Sequence, residues 1–137
     1  MFIRSVRDVI KDRELPSVQT GATVRDACHV LDRYNVGALV VLDGEWLLGV
    51  LSERDIIRKC LGQDRRSDET TVDEVMTADP KTVTASEGLN DALAHMTDGR
   101  FRHMPVMEDG RCIGLLSIRD IPTEYRMMYE RFHEMRQ

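Results

Sequence analysis

Three residues suited to holding a sugar phosphate occur twice, 65 positions apart. Ser52, Arg54 and Asp55 close the run Gly49-Val-Leu-Ser-Glu-Arg-Asp-Ile56, and Ser117, Arg119 and Asp120 close Gly114-Leu-Leu-Ser-Ile-Arg-Asp-Ile121. A carboxylate offers two acceptor oxygens, which suits the diol of a ribose. A hydroxyl and a guanidinium supply a hydrogen bond and a positive charge for a phosphate. The same residues have a plainer use. A Ser where a strand turns into a helix is a good N-cap, and an Asp three residues on completes a reciprocal cap. The capped helix end also presents free N–H groups to an anion, so the two uses share one geometry. Capping alone does not explain why Gly, Ser, Arg and Asp all recur together.

These motifs end a longer repeat. Residues 17–57 fall on 82–122 without a gap, and ten of the 41 positions are identical, where unrelated sequences would give roughly two or three. Asp26-Ala27 falls on Asp91-Ala92, and Val41 on Val106. The lead-in repeats at a spacing of 66, Ser5-Val-Arg-Asp-Val-Ile10 resembling Thr71-Val-Asp-Glu-Val-Met76. Each copy predicts an opening strand (17–19; 82–84) and then a helix. The helix carries an apolar stripe of Val24, Ala27, Cys28 and Leu31, or of Leu89, Ala92, Leu93 and Met96. Two strands follow (38–42 and 46–51; 104–107 and 112–116), with turns at Asp43-Gly44 and Asp109-Gly110. A helix starting at Ser52 or Ser117 closes the unit. The fold class is α+β: two β-α-β-β-α repeats, a polar linker at 61–70, and a helix after the second copy. One such unit leaves an apolar sheet face bare, so the two are expected to cover each other with pseudo-two-fold symmetry, leaving clefts between them.

Composition narrows the function. The chain has 137 residues, 19 Lys and Arg against 24 Asp and Glu, and a formal charge of −5. That balance disfavours unspecific binding to nucleic acid or anionic membranes, which takes clustered Lys and Arg; Arg65-Arg66 and Arg100-Phe101-Arg102 are only local basic spots. Apolar runs are too short to span a bilayer, and the start MFIRSVRDVI does not read as a signal peptide. Three scattered cysteines, Cys28, Cys60 and Cys112, suit reduced thiols in the cytoplasm.

The duplicated pattern, each copy ending in Gly-hydrophobic-x-Ser-x-x-Asp, resembles a tandem pair of CBS (cystathionine β-synthase) domains, the Bateman module. Val75-Met-Thr-Ala-Asp-Pro-Lys-Thr-Val83 and Arg102-His-Met-Pro-Val106 support the likeness, which spans nearly the whole chain. It implies CBS domains at 5–65 and 71–125, with a helical extension at 126–137. It also implies a stand-alone sensor that is not an enzyme, binds AMP, ADP, ATP or NAD(H) in the clefts, and regulates a partner protein as a homodimer. Alternatives are a dimerisation module with no ligand, or one that binds S-adenosylmethionine. Carried over residue by residue, the resemblance implies one site at Thr82, Met104, Pro105, Ser117, Arg119 and Asp120, and another at Ser17, Leu39, Val40, Ser52, Arg54 and Asp55. Arg102 and His103 stand where the first copy has Gly37 and Ala38, so the second site is expected to be the stronger phosphate binder.

Other reactive residues read as structural. No nucleophile or partner carboxylate is recognisable beside His103, so it reads as a cleft-edge side chain rather than a catalyst. Cys28-His29 would point about 100° apart on a helix and have no further ligands spaced for a metal. Cys28 and Cys112 align with Leu93 and Leu47 and read as core. Trp46 suits a surface or dimer contact. Tyr125, Met128, Tyr129, Phe132 and Met135 form one stripe on the C-terminal helix; it suits packing against the module or a symmetry mate, or docking of a target protein.

Overall fold

In the computed structural model, which describes residues 5–135, the two copies form two sheets packed face to face. The chain runs α1 (Val6–Ile10), β1 (Ser17–Gln19), α2 (Val24–Tyr34), β2 (Ala38–Asp43), β3 (Trp46–Ser52) and α3 (Glu53–Lys59). The second copy follows as α4 (Val72–Val75), β4 (Thr77–Ala78), β5 (Val83–Thr84), α5 (Leu89–Gly99), β6 (His103–Glu108), β7 (Arg111–Ser117) and α6 (Thr123–Met135). The starting MFIR and the last two residues of the extension lie outside the described residues.

The first sheet has the order β1-β2-β3-β4 and the second β5-β6-β7. Equivalent residues pair alike: Val41 with Gly49 and Val106 with Gly114, each pair beside a bulge. Much of the repeat's identity is structural. Asp26 and Asp91 accept the backbone N–H of Thr23 and Gly88 at the starts of α2 and α5, and Ala27 and Ala92 are fully buried beneath their sheets.

The lead-ins are exchanged. Val6 and Ile10 of α1 sit in the core of the second copy, with Leu89, Met96, Met104 and Leu116. Val72 and Val75 of α4 sit in the core of the first, with Val24, Leu39, Val41 and Leu51. Neither repeat as written in the sequence is therefore a complete unit. A Cβ at Gly49 would lie 2.6 Å from Met76 Sδ, and one at Gly114 would lie 2.7 Å from Ile10 Cδ1. The two repeated glycines are the gaps that admit the exchanged segments. The opposite faces of the sheets meet along an apolar seam of Ala38, Val40, Val50, Leu47, Cys112 and Leu115.

Five expectations are changed or refined. The helix expected at Ser117 is a single 3-10 turn, Ile118–Asp120. Pro122 has no N–H to continue it and holds Ile121 extended (ψ 124°), so the closing helix restarts at Thr123 as α6. The expected boundary at 125/126 thus falls inside that helix. The stripe on α6 also divides: Tyr125 and Tyr129 pack on the second core, whereas Met128, Phe132 and Met135 are exposed. The linker, finally, is ordered. Backbone N–H groups of Val24 and Arg25 donate to the carbonyls of Thr70 and Ser67 at 2.8 and 3.0 Å. The first hairpin turns at Gly44-Glu45, one residue beyond the expected place.

Candidate functional site

Both Ser-x-x-Asp motifs form the reciprocal cap. Asp55 Oδ2 accepts the backbone N–H of Ser52 at 3.1 Å, and Ser52 Oγ accepts that of Asp55 at 3.2 Å. Asp120 Oδ2 accepts the backbone N–H of Ser117 at 2.8 Å, and Ser117 Oγ accepts that of Arg119 at 3.2 Å. The caps leave the Oδ1 atoms, which have different partners. Asp55 Oδ1 lies 3.2 Å from Lys59 Nζ, one turn on in the same helix. Asp120 Oδ1 accepts from Arg13 Nη1 at 2.8 Å, and Arg13 belongs to the segment joining α1 to β1.

The two caps face one cleft of about 940 Å³ rather than two separate pockets. Of the residues expected at a site, Ser52, Arg54, Asp55, Arg102, His103, Ser117, Arg119 and Asp120 line it. The other six are not among its lining residues. Leu39 and Met104 are fully buried in the cores behind their sheets, and Val40 lies in the seam. Pro105 is buried at the position equivalent to Val40. Ser17 and Thr82 stand one residue past the lining residues Pro16 and Lys81. Strand alternation accounts for this placement: with Leu39 and Met104 on the core face, Ala38 and His103 must face the other way. Ala38 and His103 do line the cleft. Arg13 and Lys81 were missed because they precede the repeated block, in segments whose side chains have no periodic pattern.

Six basic side chains line the cleft (Arg13, Arg54, Lys81, Arg100, Arg102 and Arg119) against three carboxylates (Glu53, Asp55 and Asp120). A chain of formal charge −5 thus concentrates positive charge in this cleft, which favours an anionic ligand. The positive charge is uneven. The second copy adds Arg102 and His103, whereas the first has Glu53 where the second has Ile118. Burial, helped by Arg102, holds the His103 imidazole below its ordinary pKa, with Asp120 pulling the other way. At neutral pH it is an uncharged donor and acceptor. Pro16, Ala38, Val50 and Leu115 give the cleft an apolar part.

A CBS-domain family model matches residues 6–62 and 72–124. The chain belongs to the CBS domain family. Among curated relatives it is 42% identical over 107 residues to the mitochondrial CBS domain-containing protein CBSX3 of Arabidopsis thaliana, covering 74% of this chain and 52% of that one. The chain therefore spans about half the length of that relative, and about a fifth of several further Arabidopsis CBS proteins. A CBS-domain protein of Burkholderia ambifaria superposes with a TM-score of 0.79 at 37% identity, over 85% of this chain and 90% of the other. PAE2072 of Pyrobaculum aerophilum, solved in complex with AMP, superposes with a TM-score of 0.81 at 27% identity, over 93% and 97%. The fold is that of a tandem CBS module, a regulatory and ligand-sensing kind of domain.

Burial raises the thiol pKa of Cys28 and of Cys112, which favours the protonated thiol over the nucleophilic thiolate. Among the described residues no group of three or more His, Cys, Asp or Glu side chains is placed to hold a metal ion. No helix among them is long and apolar enough to cross a membrane. The basic spot at Arg65-Arg66 is spent on ion pairs with Glu74 and Asp68.

Proposed function

We propose that the cleft binds an adenine nucleotide, AMP, ADP, ATP or the adenosyl part of NAD(H), and that occupancy regulates a partner protein. The observation that carries this reading is the cleft's charge, six basic groups against three acids, with a Ser-Asp cap at each end. The AMP complex of PAE2072 supports it by likeness of fold. The second copy supplies the better phosphate environment through Arg102, His103, Arg119 and Arg13, and Asp120 takes the ribose. The role is regulatory rather than catalytic, and the protonated thiols suit the reducing cytoplasm. S-adenosylmethionine ranks below the phosphorylated ligands because its sulfonium is itself a cation. A homodimer would cover the exposed Met128, Phe132 and Met135 of α6.

Calorimetric titration of the purified protein with AMP, ATP, NADH and S-adenosylmethionine tests the reading. Saturable heat is expected from at least AMP or ATP. No heat from any nucleotide overturns it.

A further inference from the structure

The Arg13–Asp120 ion pair occupies the atom that a ribose would use. Asp120 has Oδ2 committed to the Ser117 backbone and Oδ1 to Arg13. Its side chain is only 13% exposed, whereas that of Arg13 is 50% exposed. A neutral diol that displaces the guanidinium replaces a charge-assisted bond with weaker ones and leaves a cation without its partner. A ligand that brings its own anion avoids that loss, because the released Arg13 can turn to the anion within the same cleft.

Resting on the nucleotide reading above, we propose that Arg13 is a specificity-determining residue of the second-copy site. It latches Asp120 and exchanges the carboxylate for a ligand phosphate, so that phosphorylated nucleosides are accepted and unphosphorylated ones are penalised. Arg13 lies outside the repeated block, on the segment that links α1, in the second core, to β1 of the first sheet. The register that sets Ile10 on Met76 sets Arg13 on Asp79. An acid cannot latch a carboxylate, so the first copy has no counterpart. There Asp55 pairs with Lys59 of its own helix, which is not among the residues that line the cleft. The latch is thus a property of one half of the cleft, built by a residue that the duplicated motif does not contain.

The test compares AMP with adenosine by calorimetry on the wild-type chain and on Arg13→Gln and Arg13→Lys. Arg13 is half exposed on a connecting segment, so both variants are expected to fold. The wild type should prefer AMP to adenosine. Arg13→Gln should weaken AMP about five- to tenfold while adenosine holds or tightens, since a charge-assisted bond is lost with one ligand and a competitor with the other. Arg13→Lys, which keeps the charge, should restore most of the preference. An equal loss for both ligands would mean that Arg13 only shapes the cleft, and unchanged affinities for both would mean that it plays no part; either overturns the proposal while leaving the nucleotide reading intact. A wild type that binds neither AMP nor adenosine overturns the proposal, and silence toward ATP and NADH as well overturns the nucleotide reading.

Discussion

The two closing motifs share their Ser, Arg and Asp, but their surroundings differ. At the end of the first copy, Asp55 caps a seven-residue helix and pairs with Lys59 within it, so both of its oxygens serve local structure. In the second, Pro122 cuts the helix to one 3-10 turn and Asp120 reaches across to Arg13. Identical residues thus stabilise a helix in one place and join two units in the other. The same split runs along the cleft, where Gly37 and Ala38 on one side face Arg102 and His103 on the other. Duplication supplied the frame, and divergence around it put Arg102, His103 and the Arg13 contact on one half of the cleft alone.

The largest effect should come from the exchanged lead-ins, where the two halves are most alike. Gly49→Ala places a methyl group 2.7 Å from the carbonyl oxygen of Thr77 as well as against Met76, whereas Gly114→Ala meets only Ile10. Backbone yields less than the end of a side chain. Gly49→Ala is therefore expected to cost about 2–3 kcal/mol and Gly114→Ala about 1–2 kcal/mol, read as the shift in urea midpoint at constant slope. Equal costs would show that the two junctions yield alike.

Next in size is the asymmetry of binding. Asp120→Asn should weaken AMP by more than tenfold, about 1.4 kcal/mol, because hydrogen bonds to a charged acceptor are lost. Asp55→Asn should change it by less than about threefold, within the range of an ordinary neutral hydrogen bond. A reversed order of the two losses would move the nucleotide to the first copy.

A smaller effect is expected where α2 and α5 end. Asn35 and Arg100 both adopt the left-handed conformation, with φ of 52° and 59°. Asn tolerates this region, while Arg is strained in it by about 1 kcal/mol. Arg100 also lines the cleft, which is a reason for a strained cation to stand there. Arg100→Asn should raise stability by about 0.5 kcal/mol and weaken AMP several-fold, measured by thermal unfolding and calorimetry on the same sample.

Most of the architecture was legible before the structure because it rests on periodic patterns. The 65-residue repeat located both helices and both hairpins, and Gly49 and Gly114 were visible as a pair. What a repeat cannot show is which copy each segment packs on. Val6 and Ile10 look the same in sequence whether they bury against their own sheet or the other one. The truncated helix at Ser117 was foreshadowed by Pro122, yet the likeness to Ser52 outweighed it. At the cleft, the Ser, Arg and Asp of both motifs are among the lining residues, whereas Leu39 and Met104 lie on the core faces of their strands. Arg13 gave no signal, since an ion pair spanning 107 positions leaves no local pattern.

The last comparison is one of charge, and His103 decides it. Ala38 has nothing to titrate, whereas His103 sits among Arg102, Arg119, Asp120 and Glu53 with its pKa lowered chiefly by burial. Unfolded, the imidazole binds a proton near pH 6.5; folded, it does so only at lower pH. Below about pH 6.5 the unfolded chain holds the extra proton, and stability falls as the solution is acidified toward the folded value. His103→Gln should flatten the decline in Tm between pH 7 and 5 that this group contributes. A bound phosphate reverses the bias, because an anion beside the ring favours the imidazolium. AMP binding at pH 7 should therefore take up a fraction of a proton, seen as a dependence of the calorimetric enthalpy on the buffer's ionisation heat. His103→Gln should abolish that uptake while leaving most of the affinity. If the variant takes up as much proton as the wild type, the phosphate does not lie beside His103, and the second half of the cleft loses its claim to it.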